Sequence, residues 1–147
     1  PWFDRALKAD PNHVPLLEDY AATLLDAGQA AKALSVTRRI IGLESRNPRA
    51  FFLQALLAAR AGDMALSRAL VERIGGRLDG VPAMMLLRGV LQIEAGNAAL
   101  AVAPLEALVG MQPENRTART VLARAYGDAG RADDALAAAI VTIMLIP

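Results

Sequence analysis

The side chains that could perform catalysis or bind a metal are few. The chain has one histidine, His13, and no cysteine, so no second imidazole and no thiolate is available to share a metal ion with it. The sequence also lacks the HExxH and GxSxG motifs and any glycine-rich phosphate-binding motif. We therefore expect no enzyme activity, no cofactor and no metal site, and a surface or capping role for His13.

Two other patterns are found in active sites but have simpler structural explanations here. Asp133 and Asp134 form an adjacent pair of carboxylates, but both fall in the first turn of a predicted helix, where negative charge interacts with the positive end of the helix dipole. The Gly75-Gly76 pair is not followed by the Lys-Ser/Thr of a phosphate-binding loop. The first pattern predicts a helix start and the second predicts a loop.

Charge and hydropathy argue against several classes of partner. Sixteen basic and fifteen acidic residues leave a net charge of +1, with no block of like charge. Nucleic-acid binding needs a basic face and binding to anionic lipid needs a polybasic segment, so neither is expected. The longest uncharged apolar stretch, residues 136–146, is about half of the roughly 20 residues that cross a bilayer. The partner class that remains is a protein or peptide.

Glycine recurs at a fixed interval along the chain. Four glycines are separated by 34 residues each, and every one follows an alanine and precedes a polar residue. Small residues also stand seven positions before and five positions after each of them. Glycine permits a left-handed turn between two helices, and small side chains let paired helices approach closely. The glycines are Gly28, Gly62, Gly96 and Gly130, with Ala21, Ala55, Gly89 and Ala123 before them and Ala33, Ser67, Ala101 and Ala135 after them.

This pattern resembles the tetratricopeptide repeat family over the whole chain. The family's unit of 34 residues also has a proline near its end, which Pro11, Pro113 and Pro147 match, whereas Pro48 and Pro82 lie three residues later. The resemblance implies an all-α fold, a right-handed superhelical solenoid of antiparallel helix pairs. It also indicates a fragment of a larger bacterial protein. It divides the chain into the second helix of a preceding repeat, residues 1–13, and four units, 14–47, 48–81, 82–115 and 116–147.

The repeat pattern predicts nine helices. Arg88 and Arg119 stand where the family usually has large apolar residues, so we expect altered packing in the third unit and at the start of the fourth. Pro104 falls inside a predicted helix, where proline costs about 3 kcal/mol, and the alternatives are a bend or a later helix start. The predicted helices are 2–9, 15–27, 30–43, 49–61, 64–75, 83–95, 98–110, 116–129 and 132–145.

In this family the ligand lies on a concave surface lined by the first helix of each unit. The ligand-facing places there are the second, fifth, ninth, twelfth and thirteenth of the repeat. The resemblance therefore implies an apolar groove with a charged rim, which binds a peptide or helix of a partner protein. The alternative is that the apolar residues pack against neighbouring first helices. The predicted groove residues are Arg49, Phe52, Leu56, Arg60, Leu86, Val90, Ile93, Glu94, Arg124 and Asp128.

The best-known ligand site of the family is absent from these positions. That site is a clamp of Lys and Asn at the fifth and ninth places, which grips the terminal carboxylates of chaperone tails. We therefore expect a partner with apolar anchors and no chaperone tail. The corresponding pairs here are Glu18/Ala22, Phe52/Leu56, Leu86/Val90 and Thr120/Arg124.

The last predicted helix supports an alternative function. It has no charged residue from Leu136 to Ile146, and a helix that is apolar all round is a buried helix. Either a further unit covers it, or the chain self-associates through its terminal helices as a structural module of a larger multi-domain or envelope-assembly protein. Because the chain starts at Pro1 without a methionine, we expect a segment of a longer protein. The compartment, cytoplasm or bacterial periplasm and envelope, stays open.

Overall fold

Nine α-helices occupy the part of the chain that the structure, a computed structural model, describes, residues 2–144, and no strand occurs in that range. The all-α prediction is confirmed, and the predicted helix ends there differ from the observed ones by at most one residue. Residue 145, the predicted end of the last helix, lies outside the described residues. The helices are α1 (Trp2–Ala9), α2 (Val14–Asp26), α3 (Ala30–Leu43), α4 (Pro48–Arg60), α5 (Met64–Ile74), α6 (Pro82–Glu94), α7 (Ala98–Met111), α8 (Arg116–Asp128) and α9 (Ala132–Met144).

The turn inside each helix pair depends on its glycine. The residue after the glycine donates its N–H to the carbonyl oxygen five positions earlier, as Gln29 does to Leu24 at 2.8 Å. This bond closes the C-terminal end of the first helix and requires a left-handed residue just before it. Glycine adopts that conformation without steric cost. The φ angles are 72° at Gly28, 83° at Gly62, 81° at Gly96 and 79° at Gly130.

The first helix of each pair begins at a fixed place in the repeat. The starting residues are Val14, Pro48, Pro82 and Arg116. Proline at such a position removes an N–H that would have no partner within the helix in any case. The division of the chain into repeat units that start at these residues stays a prediction.

The chain forms two compact units, and the first is Pro1–Leu78. In this unit α2 pairs with α3, and α4 pairs with α5. Phe3 of α1 stacks on Tyr20 of α2, with ring centroids 4.9 Å apart. The fully buried Ser67 donates from Oγ to the backbone oxygen of Ala55 at 2.8 Å, so both small residues lie at the close approach of α4 and α5. The core includes Leu17, Ala21, Leu24, Leu25, Ala33, Ile40, Ala50 and Leu53.

The second unit is Asp79–Pro147, in which α6 pairs with α7 and α8 pairs with α9. A Cβ atom added at Gly89 of α6 would lie 2.8 Å from Cδ2 of Leu105 on α7. The helices therefore approach closely because position 89 has no side chain. The core of this unit includes Ile93, Ala98, Ala101, Val102, Leu105, Leu108, Ala118, Leu122 and Ala125.

Pro104 lies within α7 and does not delay its start. The helix begins at Ala98 and continues to Met111. Of the two alternatives, the later helix start is therefore wrong. Since proline has no N–H, the carbonyl oxygen of Leu100 loses its usual intrahelical donor. Both Leu100 and Pro104 are exposed, so water can reach this oxygen.

Candidate functional site

Two predicted groove arginines of the first unit contact the neighbouring helix α2. Arg49, in the first turn of α4, places Nη1 3.2 Å from Oε2 of Glu18 and Nη2 3.0 Å from Oδ1 of Asp19. Arg60, in the last turn of α4, donates from Nη1 to the backbone oxygen of Leu25 at 2.8 Å. These contacts join both ends of α4 to α2. Because both guanidinium groups already have partners, they are less available to pair with a charged ligand.

The apolar groove residues of the first unit differ in how much surface they expose. Phe52 is 9% exposed, which places it among the core residues. Leu56, one turn later on α4, is half-buried and packs against the core cluster formed by α2, α3 and α4. Leu56 therefore offers a partner more apolar surface than Phe52 does.

The apolar groove residues of the second unit follow the same division. Ile93 is 5% exposed and belongs to the core cluster of α6, α7 and α8. Leu86 is half-buried and packs against that cluster, and Val90, one turn further along α6, is also half-buried. Leu86 and Val90 are four residues apart, so they lie on one face of α6. They form a short apolar ridge that is only partly covered by the unit itself.

The three charged groove residues of the second unit meet in one ionic cluster. Nη1 of Arg124 on α8 lies 2.8 Å from Oε1 of Glu94 at the end of α6. Nε of the same arginine lies 3.5 Å from Oδ2 of Asp128, one turn along α8. All three side chains are at least one-third exposed, so each pair contributes little to stability, typically about 0–1 kcal/mol. The cluster brings together Glu94, Arg124 and Asp128 next to the apolar residues of α6.

The turn between α3 and α4 contains a polar junction that the sequence does not single out. Asn47 is 6% exposed, and its Oδ1 accepts a hydrogen bond from the N–H of Ala50 at 2.9 Å, which caps α4. Its Nδ2 donates to Oε1 of Glu18 at 2.7 Å and to Oε2 of Glu44 at 2.8 Å. The same Glu18 accepts from Arg49. One buried amide thus caps α4 and joins it to α2 and to the end of α3.

A second unpredicted cluster surrounds Tyr126 on α8. The hydroxyl of Tyr126 donates to Oε1 of Glu106 on α7, and the guanidinium of Arg131 lies 4.7 Å from the centre of the tyrosine ring. Burial, followed by this hydrogen bond and the charge of Glu106, raises the pKa of Tyr126 to about 12. Tyr126 is therefore neutral at physiological pH and acts as a hydrogen-bond donor that holds α8 against α7.

His13 and the aspartates of α9, whose residue types often occur in active sites, lie at the N-terminal ends of helices here. His13 is exposed, and its Nδ1 accepts a hydrogen bond from the N–H of Leu16 at 3.1 Å, so the predicted capping role is confirmed. Asp133 and Asp134 lie in the first turn of α9, as expected, and Oδ2 of Asp134 lies 2.8 Å from Nε of Arg131. Between residues 2 and 144, no three His, Cys, Asp or Glu side chains gather so that they could hold a metal ion. In the same range no helix has the length and hydropathy needed to cross a membrane.

Solved structures with a similar fold include YrrB and MamA. YrrB, described as a tetratricopeptide repeat protein with an unusual peptide-binding site, superposes with a TM-score of 0.77 at 15% sequence identity, over 100% of this chain and 76% of that chain. MamA gives a TM-score of 0.70 at 18% identity, over 97% and 78% of the two chains. MamA from Desulfovibrio magneticus RS-1 gives 0.74 at 19% identity, over 91% and 76%. No curated protein sequence is significantly similar to the chain.

Sequence models of one family cover most of the chain. One model described as tetratricopeptide repeat matches residues 2–35, and a second with the same description matches residues 19–77 and 86–140. The second alone covers more than half of the sequence, and the helix pairs and turn glycines described above fit it. The chain therefore belongs to the tetratricopeptide repeat family, whose repeats are scaffolds for protein–protein interaction and are typically not enzymes.

Proposed function

We propose that the chain binds a peptide or helix of a partner protein through half-buried apolar side chains on its first helices. The observation that carries this proposal is the ridge of Leu86 and Val90 on α6, whose apolar surface is only partly covered within the second unit. The ionic cluster around Arg124 lies beside it. Apolar anchors flanked by polar groups are typical of surfaces that receive an amphipathic helix or an extended segment.

In the first unit, Leu56 of α4 supplies the corresponding apolar surface. Phe52 lies one turn before it on α4 and belongs to the buried core. Arg49 and Arg60 border the face at the two ends of α4, where α2 already binds them. A ligand that uses this face therefore gains from apolar contact more than from new ion pairs, because each exposed arginine would have to exchange one partner for another.

Two further findings support a peptide ligand with apolar anchors. YrrB, which has a similar fold, is described as having a peptide-binding site. Leu86 and Val90 also occupy the places where chaperone-binding relatives have the Lys and Asn of the carboxylate clamp. An apolar pair there favours a leucine-like anchor and disfavours a charged terminus, since a carboxylate would be desolvated against it and the neighbouring Arg124 is already paired with Glu94 and Asp128.

The test makes the apolar ridge polar by substitutions that leave α6 helical. Wild-type protein is used to select binders from a display library of amphipathic peptides, and the double variant Leu86→Gln/Val90→Gln is then titrated with them. Two lost anchors are expected to weaken binding by roughly 30-fold, which corresponds to about 2 kcal/mol. Circular dichroism checks that α6 stays folded.

The matched control is Leu100→Gln, an equal change at an exposed residue on α7, the second helix of the same pair. This variant is expected to bind the selected peptides as tightly as the wild type. The proposal is wrong if the double variant keeps wild-type affinity, or if Leu100→Gln loses as much affinity as the double variant does.

A second candidate function is self-association through α9, which one observation favours. None of the described side chains of α9 is buried, and its apolar residues include Leu136 at 63% exposure and Ile143 at 65%. We propose that this face pairs with α9 of a second copy.

Sedimentation of the wild type at increasing concentration should then detect a dimer. The variant Leu136→Gln/Ile143→Gln should sediment as a monomer, while Ala137→Gln should still dimerise. A wild type that stays monomeric at all concentrations would contradict the proposal.

A further inference from the structure

A cleft of about 460 Å³ in the first unit is lined by three arginines. It lies where the turn between α3 and α4 meets the C-terminal end of α5. Arg46 comes from that turn, and Arg73 and Arg77 come from the end of α5 and the segment after it. Ser45 and the ring of Phe51 complete the wall. The cleft is distinct from the face of Leu56, so its function is independent of the peptide-binding proposal.

Two of the three guanidinium groups are held in place by the unit itself. Arg77 donates from Nε to the backbone oxygen of Ile74 at 3.0 Å, from Nη2 to that of Arg73 at 3.1 Å, and from Nη1 to that of Arg46. The guanidinium carbon of Arg73 lies 4.4 Å from the centre of the Phe51 ring. An arginine that is already ordered loses less conformational entropy when it binds a ligand. The guanidinium groups of Arg73 and Arg77 are therefore preorganised to bind an anion.

These arginines differ from the paired arginines elsewhere in the chain. Arg49, Arg124 and Arg131 each lie within 4.0 Å of a carboxylate oxygen. Among residues 2–144, no carboxylate oxygen lies within 4.0 Å of the guanidinium group of any of the three cleft arginines, Arg46, Arg73 and Arg77. The nearest acidic residue in sequence to Arg46, Glu44, is engaged by Asn47. The contacts of Arg77 with carbonyl oxygens use three of its five N–H donors, so two donors stay available on a cation that pairs with no carboxylate in this range.

We propose that this cleft binds a phosphate group, either as inorganic phosphate or as the phosphomonoester of a phosphorylated side chain. A phosphate dianion matches the charge of the cleft better than a carboxylate does, because it carries about twice the negative charge and has three acceptor oxygens. Guanidinium groups bind such oxygens through charge-assisted, often bidentate hydrogen bonds. Ser45, which also lines the cleft, has a hydroxyl group that can donate a further hydrogen bond.

The first test is a titration of the isotope-labelled protein with inorganic phosphate at pH 7.5 and constant ionic strength, followed by amide NMR. Saturable shifts are expected at residues 45–47 and 73–77, with a Kd on the order of 1 mM. The variants Arg46→Gln and Arg46→Gln/Arg73→Gln should weaken binding by about tenfold for each guanidinium removed. Arg46→Gln leaves the Arg73–Phe51 contact in place, so its effect is separate from any loss of packing.

The control variant is Arg68→Gln, which removes the same charge from an exposed position on α5 outside the cleft. It should bind phosphate as the wild type does. The proposal is overturned if phosphate gives no saturable shifts at the cleft, if Arg68→Gln weakens binding as much as Arg46→Gln, or if acetate binds as tightly as phosphate. A short phosphoserine peptide distinguishes the two sources. Tighter binding than inorganic phosphate supports a phosphorylated side chain, and equal or weaker binding supports free phosphate.

Discussion

The substitution Leu105→Ala is expected to lower the free energy of unfolding by about 3–5 kcal/mol, the range for a fully buried leucine whose removal leaves a cavity. Leu105 is 0% exposed and lies in the core cluster that α6, α7 and α8 share. Its side chain also fills the space above Gly89, where a Cβ atom would be 2.8 Å from Cδ2 and 2.9 Å from Cγ. Urea denaturation followed by circular dichroism measures the loss.

The close approach at Gly89 makes the effect of a second substitution depend on the first. In the wild type, Gly89→Ala should cost about 1–2 kcal/mol, because crowding against Leu105 outweighs the gain in helix propensity of roughly 1 kcal/mol. In the Leu105→Ala background the same change should stabilise the unit, since the crowding is gone and the new methyl group fills part of the cavity.

A double-mutant cycle measures this reversal of sign. The control is Gly110→Ala on α7, where a Cβ atom would meet nothing within 4 Å. It should be neutral or stabilising by up to about 1 kcal/mol, equally in both backgrounds. Additive effects of the changes at positions 89 and 105 would contradict the packing described here.

The substitution Asn47→Ala is expected to lower the free energy of unfolding by about 2–4 kcal/mol. The loss of the cap of α4 accounts for about 1 kcal/mol. The rest comes from the bonds that Nδ2 donates to Glu18 and Glu44, because hydrogen bonds to charged groups contribute roughly 1.5–3 kcal/mol where they are shielded from water. Glu18 is only 15% exposed, so a lost donor there is poorly replaced by water.

Asn115 provides the matched control for this prediction. Its Oδ1 caps α8 by accepting from Ala118 at 2.9 Å, the same distance as in the cap that Asn47 forms. Its Nδ2, however, donates to the neutral side chain of Gln112. Asn115→Ala should therefore cost only the cap, about 1 kcal/mol. Equal losses for the two variants, measured by chemical denaturation, would show that the carboxylate bonds of Asn47 add nothing.

Most of the fold could be predicted because its signals are local and repeated. The left-handed turn at Gly62 needs glycine whatever surrounds it, and Pro15 and Pro82 indicate helix starts through their missing N–H groups. Small residues such as Ala55 indicate where paired helices approach. The periodicity of these residues defines the helices without any knowledge of contacts distant in sequence.

For the surface residues, the sequence predicts the helix face on which each one lies. It does not predict which side chains they contact. The family resemblance places Arg49 and Arg124 on the first-helix face, but it does not reveal that Glu18 and Glu94 on the preceding first helices bind them. Such pairs join residues about 30 positions apart, and they depend on side-chain rotamers as well as on helix packing. The burial of Phe52 depends in the same way on the neighbouring helices.

The arginine cleft illustrates the same limit. Arg73 and Arg77 are four residues apart, which is visible in the sequence, but Arg46 reaches them only because the turn between α3 and α4 lies beside the end of α5. The only available signal was a pair of basic residues next to two glycines. Many surface helices carry such a pair, so it does not indicate a site.

The pairing of Arg49 with Glu18, and of Arg124 with Glu94, has a consequence for the kinetics of binding. Because these charges neutralise each other within each unit, the first-helix faces present little net field to an approaching molecule. For a partner that docks there, long-range steering is then small, and association proceeds at the unassisted rate of about 10⁵ to 10⁶ M⁻¹ s⁻¹ with little dependence on salt. Discrimination among partners then lies in their residence times, which the fit of their apolar anchors sets.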